Sequence, residues 1–218
     1  MVKKNEMVEL NKRITLFGVK ERTLAAESLQ FLVEVLQQCG IRMEELLPQK
    51  HRPRVALLLS FTEQVSSEFR RYMFRNLAPY LINFKPVQQS LLKCKWEQHE
   101  LQTHTNAYVD LILNDVQASS SIITDLGGLP SHVLRRLWGE TVEYIVEKLT
   151  DGYSKIIRCT THGRAQMSMD LTALHQGLVK VTSLSPLPRW EHVSGYVRAY
   201  YEPENDFLKW VNREHRAF

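Results

Sequence analysis

Helix-breaking residues are too few in this chain for a strand-rich fold. Its 218 residues include 9 Gly and 8 Pro, whereas all-β folds spend turn residues at every hairpin. No stretch alternates apolar and polar residues as a half-buried strand would. Apolar residues recur instead three and four apart, in runs rich in Leu, Glu, Gln and Arg. The expectation is an all-α chain of stacked antiparallel helical bundles forming a rod segment.

Residues 1–20 mix charges with Leu10, Ile14, Leu16 and Phe17 and read as a partly ordered lead-in. A first helix is expected from Glu21 to Leu47, with Leu24, Ser28, Leu32, Val35 and Cys39 on one face and Pro48 as its stop. A second follows from Pro53 to Leu77, carrying Leu58, Phe61, Val65, Phe69, Tyr72 and Met73. Pro79 and Pro86 bracket an irregular stretch, then come helices over Val87–Lys95 and Glu97–Thr124. The sharpest break is Asp125-Leu126-Gly127-Gly128-Leu129-Pro130.

Beyond it, Ser131 is an N-cap for a helix to Cys159 with a broad apolar stripe. Further helices are expected from Gly163 to Val181, from Arg189 to Tyr200, and from Pro203 on through Phe207, Trp210 and Val211. The organisation expected is a helical-bundle domain over 21–218, with sub-bundles over 21–126 and 130–218. The last pattern reaches Phe218 without a capping signal, so a longer natural chain is expected.

The longest apolar run, Val55–Leu59, is far short of the roughly 20 residues of a membrane span. Met1 to Glu6 is basic but no apolar core follows, unlike a signal peptide. The reading is a cytosolic chain. Cys39, Cys94 and Cys159 are odd in number and widely spaced, which is neither a disulfide framework nor a zinc pattern. The net charge of +4 is mildly basic and points to no particular class of partner.

No catalytic or cofactor motif survives inspection. His99 and His104 are five apart, so a helix would turn them away from one another, unlike the i, i+4 pair of a zinc protease. Gly127-Gly128 lacks the Gly-Lys-Ser/Thr continuation of a phosphate loop. His162 stands three residues after Cys159 but lacks a third orienting group. Carboxylates such as Glu147, beside Lys148, read as solvated helix surface. The expectation is no enzyme, no cofactor and no metal.

Basic residues cluster at His51, Arg52 and Arg54, at Arg70, Arg71 and Arg75, and at Arg135 and Arg136. Lys209, Arg213 and Arg216 recur four and three apart, which makes one stripe and a candidate interaction surface. It would suit acidic helices or an anionic membrane surface. A helical nucleic-acid binder is a weaker reading, because no aromatics interleave with the basic residues as stacking platforms do.

Ordered segments along the chain resemble the syndetin family: Ile14-Thr15-Leu16-Phe17-Gly18, Ala26-Glu27-Ser28-Leu29, Lys95-Trp96, Tyr108-Val109-Asp110, Leu137-Trp138, Gly152-Tyr153 and Gly163-Arg164-Ala165. The most specific is Tyr196-Val197-Arg198-Ala199-Tyr200-Tyr201, followed by Glu204-Asn205-Asp206 and Trp210. Residues 52–85 match only loosely, and 119–130 is shorter and richer in Gly than the family's loop.

The resemblance implies the C-terminal helical domain of a vesicle-tethering subunit, of the CATCHR type, in the endosome-associated recycling complex. It implies partners among the other subunits of that complex and SNARE proteins, with small GTPases, adaptors or anionic membrane in addition, and no nucleic acid. It implies a cytoplasmic protein, peripheral on recycling endosomes and the trans-Golgi network, that acts in endocytic recycling to the plasma membrane. A helical scaffold of another tether, such as an exocyst-type subunit, would carry the same helices.

Overall fold

A computed structural model describes residues 4–199, 201, 208, 209 and 212, with side chains described from Leu16 onward except Glu44. Among the described residues the chain is all-helical, without a strand. The helices are α1 (Lys4–Leu46), α2 (Arg52–Leu81), α3 (Phe84–Lys93), α4 (Ala107–Asp125), α5 (Ser131–Ser154), α6 (Thr161–Thr182) and α7 (Trp190–Ala199), and a 3-10 turn over Gln49–His51 joins α1 to α2.

Two compact units are built from interleaved chain. The first comprises Met1–Tyr80 with Ile122–Glu140; the second comprises Leu81–Ser121 with Thr141–Phe218. The Gly127-Gly128 break, expected between sub-bundles, falls inside the first unit.

The segment read as a lead-in is helical from Lys4. Leu16, Phe17 and Gly18 carry positive φ of 51°, 52° and 61° in succession. Such a left-handed turn costs about 1–2 kcal/mol for each residue with a Cβ. It is held by burial of Leu16 and Val19 and by Phe17, whose ring stacks on Tyr80 at 4.4 Å under the Arg22 guanidinium, 3.7 Å from its centroid. Ala26, Phe74, Leu77, Val133 and Leu137 join this core.

The prolines stop less than expected. Pro79 lies inside α2, which ends at Leu81, and this near the C-terminus its ring costs one helical hydrogen bond. Pro86 sits in the first turn of α3, where the missing N–H has no helical partner to lose.

The second unit buries Val87, Leu91, Ile112, Val116, Ile145, Leu149, Leu174, Leu178 and Val193. Its α6 opens on Thr160, whose Oγ1 accepts from the Gly163 N–H, and closes on Ser183 in the left-handed conformation. The expected helix over Glu97–Thr124 is half irregular: Cys94–Asn106 has no helix, and α4 starts at Ala107.

Candidate interaction surface

The joint between α1 and α2 is narrow. Gln37 Nε2 donates to Glu63, Ser66 Oγ donates to Gln30, and Arg70 donates to Glu27. A Cβ at Gly40 would run into the Leu59 side chain. As residue numbers rise on α1 they fall on α2, so the two helices form an antiparallel hairpin. The α1 seam of this joint is Ala26, Gln30, Val33, Gln37 and Gly40, spaced four and three, and it is small or polar at most positions. Between Glu34 and Met73 only Gly40 and Ser66 are buried among the residues with described side chains.

A second heptad-like seam on α1 is almost wholly apolar. Leu32, Leu36, Cys39, Met43 and Leu46 have the same spacing and are all exposed. On α2, Leu58, Phe61, Val65, Phe69 and Tyr72 do likewise. On α2 the residues that meet α1 are Leu59, Ser66 and Arg70, so each outer seam lies one residue before its inner seam, a rotation of about 100°. Because the helices are antiparallel, that same shift carries both outer seams to the same side of the hairpin. The stripes legible in the sequence are therefore its outer face. The residues that hold its two helices together are the less apolar set.

A buried titratable cluster lies elsewhere, in the second unit, where it bonds the irregular segment before α4 to α6. Asp170 is 1 % exposed. Its Oδ2 accepts from Tyr108 Oη and Asn106 Nδ2, both at 2.8 Å. Its Oδ1 accepts from the Asn106 N–H at 3.1 Å and from Gln166 Nε2 at 3.2 Å. The Tyr108 O–H is engaged in donating to Asp170, so Tyr153, 2.8 Å away, donates to Tyr108. Trp96 packs edge-on against Tyr153 at 6.2 Å. Gln166 also holds His104 and Gln102 by their backbones. The irregular segment is thus fastened to α6 by side chains about 60 positions away.

Burial raises the Tyr108 and Tyr153 phenols well above their ordinary 10.0 and pushes the Cys94 thiol up to about 11. Each group is neutral when protonated, so the folded chain keeps these protons to higher pH than the unfolded chain does. Stability is then full below about pH 9 and falls as the pH climbs past 9 and 10, where the unfolded groups ionise. Urea midpoints measured from pH 7 to 11 should decline in that window, and less steeply in Tyr153→Phe. A flat profile would contradict the burial.

The other sequence candidates separate on inspection. His99 and His104 are exposed in the irregular segment rather than on a helix, and among the described residues no three His, Cys, Asp or Glu side chains converge as a metal site needs. Burial raises the Cys159 thiol, which lowers its value as a nucleophile. Glu147 pairs with Arg189 at 3.6 Å rather than with Lys148. Arg70 makes a two-pronged pair with Glu27, and Arg71 lies 3.7 Å from Glu140, so neither is spare surface charge. Lys209 is helical and exposed; Arg213 and Arg216, the other members of the expected stripe, lie outside the described residues.

A family model described as the C-terminal part of syndetin matches residues 16–218. The chain belongs to the syndetin family. It is 29 % identical to mouse syndetin and to rat syndetin, and 28 % identical to chicken syndetin, in each case over 217 residues and 98 % of this chain. It spans 22 % of the length of the mouse and rat proteins and 23 % of the chicken protein. No solved structure matches it. The match to the syndetin C-terminal domain takes in the hairpin from its left-handed turn onward, and the whole Asp170 cluster. No helix among the described residues is long and apolar enough to cross a membrane.

Proposed function

We propose that the chain is a non-catalytic helical domain of a vesicle-tethering complex subunit, acting through protein–protein contacts in endocytic recycling to the plasma membrane. The observation that carries this reading is the syndetin family match over residues 16–218. The hairpin's broad apolar outer face supports a role in binding. The buried titratable groups support a non-catalytic role, because their bonds are made to fasten an irregular segment. The partners proposed are the other subunits of the endosome-associated recycling complex and SNARE proteins, with small GTPases, adaptors or anionic membrane as further contacts. The working place is the cytoplasmic side of recycling endosomes and the trans-Golgi network. Lys209, Arg213 and Arg216 are proposed as one contact stripe.

Affinity capture from cytosol with this chain, beside a full-length relative, tests the reading. Retention of complex subunits or SNAREs is the expected result. A chain that retains neither, while the full-length protein retains both, would place the tethering contacts elsewhere. Charge reversal at Lys209, Arg213 and Arg216 together should weaken capture or liposome binding; unchanged binding would discard the stripe.

A further inference from the structure

We propose that the outer face of the α1–α2 hairpin packs against the same face of a second copy of this chain, closing a four-helix bundle. Three observations carry this. The first is the angle between seams. On each helix the outer seam is turned about 100° from the inner one, close to the 90° between neighbours in a four-helix bundle and far from the 60° of a three-helix one. The missing occupant is thus a pair of helices, and a second hairpin supplies a pair. Seams repeating at about 3.5 residues interlock with helices of the same repeat.

The second is area. The large apolar side chains of the two outer seams are each 40–86 % exposed. Together they leave about 1,000 Å² uncovered, against the roughly 800 Å² per partner of a stable interface. The largest apolar patch of an ordinary monomer is about 300–600 Å².

The third is charge. Neither Thr23–Ile41 nor Val55–Phe69 contains a Lys or Arg, and their acids are Glu27, Glu34, Glu63 and Glu68. Glu27 is engaged by Arg70, and Glu63 by Gln37. The outer seams themselves hold no charged residue, so two copies of the face meet without like-charge repulsion. A face that fits itself closes as a two-fold pair.

Sedimentation equilibrium of the whole chain tests this, with Leu36→Glu/Phe61→Glu as the comparison. Both substituted residues are exposed, and circular dichroism checks that helicity is kept. The wild type should rise from 25.5 kDa toward twice that mass, with a dissociation constant of about 1 µM or below. The double variant should stay at the single mass. A wild type that remains single up to about 100 µM overturns the proposal, as does a dimer that the variant leaves intact. Cys39 gives a second readout because it lies in the outer seam of α1. Its alkylation should slow at least about tenfold across the association range, in the wild type alone. An alkylation rate independent of concentration overturns the proposed face.

Discussion

Replacing Asp170 by asparagine is expected to destabilise the chain by about 4 kcal/mol, a fall in Tm of about 10 °C. The carboxylate is surrounded by donors: each oxygen accepts two hydrogen bonds, from Tyr108 and Asn106 on one side and from Asn106 and Gln166 on the other. Asparagine keeps the shape, but turns one acceptor into an NH₂ that faces two other donors. A buried donor without an acceptor costs about 1–3 kcal/mol, and here two lose theirs together. The damage should begin where the bonds end. The Cys94–Asn106 segment should become sensitive to protease in the variant before the helices melt. Urea denaturation measures the loss, and a change under about 1 kcal/mol would mean that the cluster is not holding this segment.

The second large effect is expected from Gly163→Ala. A methyl group there would enter the space of the Trp96 carbonyl oxygen and come within 2.9 Å of the Cys159 sulfur. The obstacle is backbone, which cannot rotate away as a side-chain tip can. Moreover, the Trp96 carbonyl accepts from the Thr160 N–H at 3.1 Å, and Thr160 Oγ1 donates to the Gln98 carbonyl at 2.7 Å. Moving residues 96–98 aside therefore strains the cap of α6 as well. A loss of about 3 kcal/mol is expected, read as a Tm lower by about 7 °C. Gly139→Ala is the matching control. Nothing lies within 4 Å of its added methyl, and it should be neutral or stabilise α5 by up to about 1 kcal/mol. Equal melting of the two variants would refute the tight approach at Gly163.

Helix content was legible because periodicity needs only neighbours in sequence. The all-α class and most element cores follow from it. Which face each helix buries was not legible in α1 and α2. Leu32, Leu36, Leu58 and Phe61 are the more apolar residues, yet they lie outward. The inward seam instead holds Gln30, Gln37, Gly40 and Ser66, which let the helices approach and bond to one another. A signal was available in the row Ala26, Gln30, Val33, Gln37 and Gly40, which itself recurs four and three apart. It is weaker than a row of leucines. The irregular run before α4 was invisible for a different reason. Its backbone donors at Gln102 and Asn106 are taken by side chains of α6, and a partner so distant leaves no local trace. Asp170 could have been noticed as a lone acid among Met167, Leu171 and Leu174, on a stripe that otherwise reads as core.

The interleaving of the two units limits how such a domain can be inherited. Each unit is made of two separate stretches, 1–80 with 122–140 and 81–121 with 141–218. A single recombination event at any position separates the parts of at least one unit. Anywhere between 81 and 140 it divides both. Neither half can be exchanged between genes as a self-contained cassette, so the pair must be copied, lost or transplanted as a single piece.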